Sequence, residues 1–137
     1  MGVNLMPLPV TVSNESGKPM YQQIKEQIRE LIVSGTLQEG TLLPSIRELS
    51  ADLSCSSITI RRVYQDLENE KLLVTRQGTG TFVASVDEGD RSRYRSTAVA
   101  EAFKTAVELG RRMQCAEDEM RKMVEDLLLA TRKGETK

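Results

Sequence analysis

Hydrophobic residues recur at three- and four-residue steps in three short stretches of the first half of the chain. This spacing places them on one face of a helix, so it predicts three consecutive helices between Pro19 and Glu70. Pro19 suits the start of the first helix and Gly35 its end. Ser45 and Glu48 have capping-box spacing at the start of the second. The predicted buried positions are Tyr21, Ile24, Ile28, Leu31, Ile32, Ile46, Leu49, Leu53, Ile60, Val63, Tyr64 and Leu67.

The second and third predicted helices are both short, and only Ser54-Cys55-Ser56 separates them. Two short helices joined by such a turn form a helix-turn-helix. After Lys71 the hydrophobic period changes to two, and β-rich runs over residues 72–76 and 79–83 flank a Gln77-Gly78 turn. The pattern therefore predicts a helix-turn-helix followed by a β-hairpin, which in this position is called a wing.

A polar stretch over residues 84–91 follows the hairpin and is predicted to be a linker. Two further amphipathic helices are predicted at about 92–109 and 116–131, separated near Gly110. So small a domain cannot bury both of their apolar faces, and an exposed stripe of that size is typical of an interface. The residues predicted to mediate dimerisation are Val99, Phe103, Val107, Met120, Met123, Val124, Leu127 and Leu128.

The length of 137 residues suits one domain with an appended element. The predicted fold is mainly α with a small β-hairpin wing: a winged helix-turn-helix followed by a two-helix dimerisation tail. The predicted organisation comprises an N-terminal lead-in (1–17), the winged helix-turn-helix (18–83), the linker (84–91), the two-helix region (92–132) and a frayed C-terminus (133–137).

Composition narrows the class of protein. The net charge of −1 counts weakly against nucleic-acid binding, although a local basic face can still neutralise phosphates. There is no histidine, and Cys55 and Cys115 lie far apart, so neither a metal site nor a disulfide framework nor any cofactor is predicted. With no signal peptide and no apolar run long enough to span a bilayer, we expect a cytoplasmic protein without membrane contact.

The start of the third helix and the hairpin tip hold the candidate contact residues. A recognition helix presents its N-terminal side chains to base edges in the major groove, where Arg can bond guanine in bidentate fashion. Each residue also has an ordinary interpretation: a lone Arg is most often a solvated surface residue. Their joint placement in one helix-turn-helix unit favours the functional interpretation. The candidates are Ser57, Thr59, Arg61 and Arg62 in the helix and Arg76 at the hairpin.

Four segments resemble the GntR family of bacterial regulators, in the expected order and spacing. They are G-K-P-M-Y-Q-Q-I at 17–24, L-P-S-I-R-E-L at 43–49, S-I-T-I-R-R-V-Y at 57–64 and R-Q-G-T-G-T-F-V at 76–83. Ser54 and Lys71 occupy places that are often glycine in the family, so the turns there are expected to be strained or differently shaped. The resemblance implies that DNA is contacted by Arg47, Ser57, Thr59, Arg61, Gln77 and Gly78.

Only about 50 residues follow the hairpin, which is similar to the short-tailed YtrA-type branch of the family. That resemblance implies a homodimer formed by the two C-terminal helices, and members of the branch often repress operons for ABC transporters. The prediction is a homodimeric repressor that binds a palindromic operator in double-stranded DNA. Whether a small-molecule effector binds is left open, and no effector residues are predicted.

Two other classes of function are less consistent with the sequence. An enzyme is disfavoured because the chain has no histidine, no Gly-rich phosphate loop and no paired nucleophile and base. A winged helix that contacts only other proteins remains the alternative, since the near-neutral charge permits it. DNA binding requires that five acidic residues face away from the duplex: Glu26, Glu30, Asp66, Glu68 and Glu70.

Overall fold

The computed structural model describes residues 8–135, with side chains through residue 132. In chain order its elements are α1 (Met20–Val33), α2 (Ile46–Leu53), α3 (Ser57–Asn69), β1 (Leu73–Arg76), β2 (Gly80–Val83), α4 (Glu88–Arg112) and α5 (Glu117–Glu135). The predicted mainly helical fold with a β-hairpin wing is confirmed. Among residues 8–135, none of the helices combines the length and apolar composition that spanning a bilayer requires.

The chain divides into two compact units, Met1–Arg95 and Ser96–Lys137, with the boundary inside α4. The core of the first unit is aliphatic except for one tyrosine. It buries the inward faces of α1, α2 and α3, and the half-buried Tyr21, Leu31 and Ile46 pack against it. The predicted helical stripes are thereby confirmed. The core side chains of the three helices include Ile24, Ile28, Ile32, Leu49, Leu53, Ile60, Val63, Tyr64 and Leu67.

Side-chain caps set the starts of α2 and α3. Ser45 Oγ accepts the Glu48 N–H at 3.0 Å, and Glu48 Oε1 accepts the Ser45 N–H at 2.9 Å, so the predicted capping box is confirmed. Ser56 caps α3 by accepting the Thr59 N–H at 3.1 Å. These bonds satisfy backbone donors that a helix start leaves without an internal partner.

The turn between α2 and α3 passes through a left-handed residue, Ser54, with φ 53°. The Ser54 N–H donates to the Ala51 carbonyl at 3.3 Å, and the Cys55 N–H donates to the Ser50 carbonyl at 3.0 Å. This pair of bonds is typical of a helix end at which a residue in the left-handed conformation, usually glycine, terminates the helix. Cys55 packs against the core, and burial raises the pKa of its thiol, so the thiol behaves as a small apolar group.

The wing is bonded on both edges of β2. One edge pairs with β1 in an antiparallel hairpin. On the other edge, the Leu43 N–H donates to the Thr81 carbonyl at 2.8 Å and the Val83 N–H donates to the Thr41 carbonyl at 2.9 Å. This second set of bonds, which joins the wing to the segment immediately before α2, is not predicted by the sequence pattern.

Residues 8–13, part of the predicted N-terminal lead-in, pack against the core. Leu8 and Val10 are both buried in the core of the first unit, and Pro9 between them is exposed. No strand forms over these residues. Residues 1–7 of the predicted lead-in lie outside the described residues.

Two glutamines of α1 hold this extended segment by its backbone. The Gln27 amide accepts the Thr11 N–H at 3.0 Å and donates to the Thr11 carbonyl at 2.7 Å. Gln23, one helical turn earlier, bonds Ser13 in the same way at 2.8 and 2.9 Å. The two side chains therefore satisfy backbone groups that a neighbouring strand would otherwise have to pair.

Helix α4 begins at Glu88, inside the segment 84–91 that the sequence analysis predicts to be a linker. Glu88 and Asp90 lie in its first turn, where negative charge complements the helix dipole. Arg91 forms an ion pair with Glu88 at 3.8 Å, three residues apart on the helix. Favourable local charge thus extends the helix through a polar stretch that lacks an apolar period.

Helix α4 ends at Arg112, slightly beyond the break predicted near Gly110. Gly110 is buried, and a Cβ there would collide with the Met120 sulfur, so this glycine permits the start of α5 to approach the end of α4. Helix α5 continues to Glu135. Residues 136 and 137 of the predicted frayed terminus lie outside the described residues.

Candidate nucleic-acid interface

The first turns of α3 are buried on one side and exposed on the other. Ile60 and Val63 have no exposed surface, whereas Ser57, Ile58 and Arg61 are exposed. Because residues three and four apart share a helix face, Arg61 lies on the same side as Ser57 and Ile58. The start of α3 therefore offers a hydroxyl, an aliphatic group and a guanidinium together.

Thr59 has a defined structural role at the same helix end. It is half-buried, and its Oγ1 lies 2.9 Å from the Ser56 hydroxyl oxygen that caps the helix. Ser56 Oγ also accepts the Thr59 backbone N–H. Thr59 thus helps to hold the helix start, and its predicted DNA contact stays a prediction.

Arg62 lies against α1. Its guanidinium carbon stands 4.0 Å from the centroid of the Tyr21 ring, a stacked cation–π contact. Lys25 Nζ donates to the Tyr21 hydroxyl at 3.2 Å. The ring therefore places two cations where α1 and α3 adjoin, and Arg62 remains exposed.

Arg47 is the second residue of α2 and is exposed. The Tyr64 hydroxyl donates to the Pro44 carbonyl at 2.7 Å in the buried interior, and this bond ties α3 to the entry of α2. Burial, with a smaller contribution from the Glu48 charge, raises the pKa of Tyr64, so the phenol keeps the proton that it donates. This bond therefore fixes the start of α2, which carries Arg47, relative to α3.

The tip of the wing is exposed and carries one cation. The Thr79 N–H donates to the Arg76 carbonyl at 2.9 Å, closing a turn over Gln77 and Gly78. Gly78 has φ 80°, a conformation that glycine adopts without strain. The Arg76 guanidinium stands 5.4 Å from the centroid of the Phe82 ring, so the stem of the hairpin supports it.

The acidic residues late in α3 are bonded to protein partners. Glu70 accepts two hydrogen bonds from Arg29, at 3.0 and 2.8 Å. Asp66 forms an ion pair with Lys25 at 3.6 Å. Glu68 accepts a hydrogen bond at 3.2 Å from a threonine of β1. Two cations of α1 therefore offset the charges of Asp66 and Glu70 at the C-terminal end of α3, while the arginines near its start are exposed.

Glu26 of α1 is also paired. It accepts a hydrogen bond from Gln22 at 2.9 Å and one from Lys18 at 3.1 Å, and these donors lower the pKa of Glu26. Glu30 is exposed. Four of the five carboxylates that DNA binding requires to face elsewhere thus have protein partners.

All eight predicted DNA-contact residues lie in the first unit. Seven are exposed, and Thr59 is half-buried. Ile58 is not among the predicted contact residues, although 77% of its surface is exposed at the start of α3. Its position outside the apolar period of that helix is the sequence signal for this exposure. The eight residues are Arg47, Ser57, Thr59, Arg61, Arg62, Arg76, Gln77 and Gly78.

In the second unit, most of the predicted dimerisation residues are exposed. Seven of the eight have between 37% and 67% of their surface exposed, and Met120 is half-buried beside Gly110. Leu109, Met113 and Leu129 are also exposed, although they were not predicted. The seven are Val99, Phe103, Val107, Met123, Val124, Leu127 and Leu128.

A capped helix with an exposed, hydroxyl- and guanidinium-bearing start, beside a wing on a three-helix core, defines a winged helix-turn-helix DNA-binding protein. The family model for bacterial regulatory proteins of the gntR family matches residues 20–83. The chain belongs to the GntR family, and it is a DNA-binding transcriptional regulator. The family predicted from the four sequence segments is confirmed.

Two curated relatives match most of the chain. The HTH-type transcriptional regulator Rv1152 of Mycobacterium tuberculosis is 33% identical over 100 residues, covering 73% of this chain and 78% of the relative. The HTH-type transcriptional repressor YtrA of Bacillus subtilis is 29% identical over 98 residues, covering 72% and 75%. A solved GntR family transcriptional regulator from Listeria monocytogenes has a TM-score of 0.70 at 26% identity, covering 82% of this chain and 97% of its own. These relatives are regulators rather than enzymes, as the sequence predicts.

Proposed function

We propose that this regulator binds a palindromic operator as a homodimer and represses transcription there. The observation that carries the proposal is the exposed start of α3, where Ser57 and Arg61 stand clear of the core. In the major groove, the Arg61 guanidinium can bond guanine in bidentate fashion, and the Ser57 hydroxyl can bond a base or a phosphate. The paired carboxylates lie toward the other end of the helix, so they do not oppose this approach.

The remaining predicted contacts have backbone roles in the proposal. Arg47 and Arg62 flank the start of α3 and neutralise phosphates, which fixes the orientation of the helix without selecting sequence. Thr59 adds a hydroxyl near a helix N-terminus, a location that favours phosphate. Arg76, Gln77 and Gly78 at the wing tip contact the adjacent backbone or minor groove. The predicted roles thus divide into base contacts by α3 and positioning contacts by its surroundings.

A second copy of this chain is the proposed occupant of the apolar face in the second unit. Helices α4 and α5 both expose large aliphatic or aromatic side chains there, including Phe103 and Leu127. Contiguous apolar surface is characteristic of an interaction site, and most homodimers are two-fold symmetric. Two-fold symmetry places two recognition helices on half-sites about one helical turn, roughly 34–36 Å, apart or a multiple of it. The operator is therefore palindromic.

Repression is proposed because YtrA of Bacillus subtilis is named a transcriptional repressor. A dimer bound over a promoter would exclude the polymerase by occupancy alone, with no requirement for an activation surface. The proposed site of action is the cytoplasm, where a bacterial chromosome is available to such a regulator.

Selection of duplex DNA from a random pool tests the base contacts. Wild type should enrich a palindrome, and Arg61→Ala should lose preference at one position in each half-site, since a bidentate contact contributes about 1–3 kcal/mol of discrimination. Arg111→Ala, which removes an exposed arginine of α4, serves as the matched control and should enrich the wild-type site. Failure of wild type to enrich any sequence at low salt would refute specific DNA binding and favour a protein-binding winged helix.

Sedimentation equilibrium tests the dimer. The apparent mass of wild type should be twice the chain mass of 15.3 kDa. Leu127→Glu should shift the apparent mass toward that of a monomer, because it would bury a charge in the proposed interface. Glu125→Ala, at an exposed polar position of the same helix, should leave the mass unchanged. A wild type that stays monomeric at micromolar concentration would contradict the proposal.

A further inference from the structure

Ile58 has an aliphatic side chain that is exposed, so it contributes little buried apolar surface to the stability of the fold. Its surface is 77% exposed, a larger fraction than that of any other large hydrophobic residue among residues 8–132. Ile60, two residues later, has no exposed surface. Residues two apart point in directions about 200° apart around a helix. Ile58 therefore lies on the side of α3 opposite the core.

The neighbours of Ile58 are the residues proposed to contact bases. It is the second residue of α3, directly after Ser57, and Arg61 follows one turn later on the same face. The capping bonds of Ser56 fix the backbone of this turn. The β-branched side chain is also stiff at χ1, so its methyl groups are presented in a narrow range of positions.

We infer that Ile58 is a specificity-determining residue that recognises the C5 methyl group of thymine in the major groove. Thymine is the one base that presents an apolar group on that edge, and it is recognised by apolar side chains. With Arg61 donating to guanine and Ser57 supplying a hydroxyl, the start of α3 would then contact donors, acceptors and methyl groups. The inference rests on the proposed function, because it assumes that this helix end enters the major groove.

Replacing thymine by deoxyuridine in the selected operator tests the inference, since this change removes only the methyl group. Wild type should bind an operator with one deoxyuridine in a single half-site about fourfold more weakly, the value expected for one buried methyl group of about 0.8 kcal/mol. Changing both half-sites should weaken binding on the order of fifteenfold. Deoxyuridine at the other thymines should have less effect.

Ile58→Ala should bind the thymine and deoxyuridine operators with nearly equal affinity. Because Ile58 is exposed, this variant should keep the wild-type thermal transition, and that is checked by circular dichroism. Ser57→Ala is the comparison variant: it removes a proposed hydroxyl contact from the same turn, so it should weaken binding to both operators equally and keep the ratio of their affinities. Ile58→Val should also keep most of it.

Two outcomes separate this inference from the proposed function. If wild type enriches a palindrome but no thymine shows a deoxyuridine effect, or Ile58→Ala retains that effect, the role of Ile58 is refuted and specific DNA binding stands. If wild type enriches no sequence, both are refuted, and an exposed Ile58 would instead suit a protein contact.

Discussion

Single residues set the ends of the helices, and three non-glycine residues, Ser54, Lys71 and Gln114, do so in the unfavourable left-handed conformation. Ser54 and Lys71 have φ values of 53° and 65°. At the end of α3, the Lys71 N–H donates to the Glu68 carbonyl and the Leu72 N–H donates to the Leu67 carbonyl, both at 2.9 Å. This arrangement normally uses glycine, because the left-handed conformation costs other residues about 1–2 kcal/mol. The strain that the sequence leads us to expect at Ser54 and Lys71 is therefore present in the backbone.

Lys71→Gly should raise the free energy of unfolding. Relief of the left-handed strain exceeds the additional chain entropy of glycine in the unfolded state, so we expect a gain of about 0.5–1 kcal/mol. Lys71 is exposed, so the change removes little packing. Urea unfolding measures the difference. Lys71→Ala is the control: it keeps the strain and should gain nothing, and equal stabilisation by both variants would contradict the conformational explanation.

Tyr64→Phe should destabilise the first unit by about 1–2 kcal/mol, because it removes the hydrogen bond that the buried hydroxyl donates and leaves the Pro44 carbonyl without this donor. Tyr94→Phe is the control, since the half-buried Tyr94 hydroxyl donates to the Glu70 carbonyl at 3.1 Å, where water can replace it. It should cost less.

The stability difference between wild type and Tyr64→Phe should also depend on pH. Burial raises the pKa of Tyr64 above its ordinary value of 10.0, so the folded phenol stays protonated while the unfolded phenol ionises. The stability that Tyr64 contributes is therefore complete below pH 10.0 and is lost as the pH rises above it. The stability difference between wild type and Tyr64→Phe should shrink above about pH 10, by up to 1.36 kcal/mol per pH unit. A difference that stays constant to pH 11 would contradict the ionisation argument.

The wing is an element whose position depends on close packing against the segment before α2. Gly80 pairs with Arg76 across the hairpin and has φ 140°. A Cβ there would lie 2.8 Å from Leu42 Cδ1, and Leu42 is bridged to Phe82 of β2. Gly80 therefore allows the segment and the wing to lie side by side, which keeps the wing tip in one place relative to α2.

Gly80→Ala should loosen the wing. The strained backbone and the contact with Leu42 together should lower the free energy of unfolding by about 2–3 kcal/mol and weaken operator binding. Gly78→Ala is the matched control: it also has positive φ, at 80°, but faces open space, so about 1 kcal/mol is expected. Thermal unfolding and operator titration of both variants measure the effect. Equal losses would show that neither the φ of 140° at Gly80 nor its contact with Leu42 adds a cost.

For the whole molecule, a net charge of −1 means that attraction to DNA must come from a local group of cations. Arg76→Ala should therefore reduce the slope of log K against log salt concentration by about 0.9, the value for one phosphate contact with B-DNA. Base preference should not change, because the wing is proposed to contact only backbone or minor groove. Lys104→Ala, at an exposed cation in the second unit, should leave the slope unchanged. An unaltered slope after Arg76→Ala would remove that arginine from the phosphate contacts.

The helical part of the fold was accessible from the sequence because its signals are local. Periodic hydrophobic residues such as Ile24 and Leu67, the Ser45–Glu48 capping box and the four family segments all depend on neighbours a few residues away. The start of α4 at Glu88 escaped prediction, because charge pairing within one helical turn leaves no apolar period. The exposure of Ile58 follows from the same periodicity, because Ile58 does not fall on the apolar positions of α3.

The sequence by itself determined the order of the elements, the buried faces of the first three helices and the family of DNA-binding regulators. Only the tertiary structure decided which long-range partners meet: Glu70 with Arg29, Tyr64 with the Pro44 carbonyl, and β2 with the segment before α2. These contacts join residues distant in the chain, so no periodicity or local motif encodes them. They determine which charges are paired and which remain exposed, and a count of basic and acidic residues cannot supply that distinction.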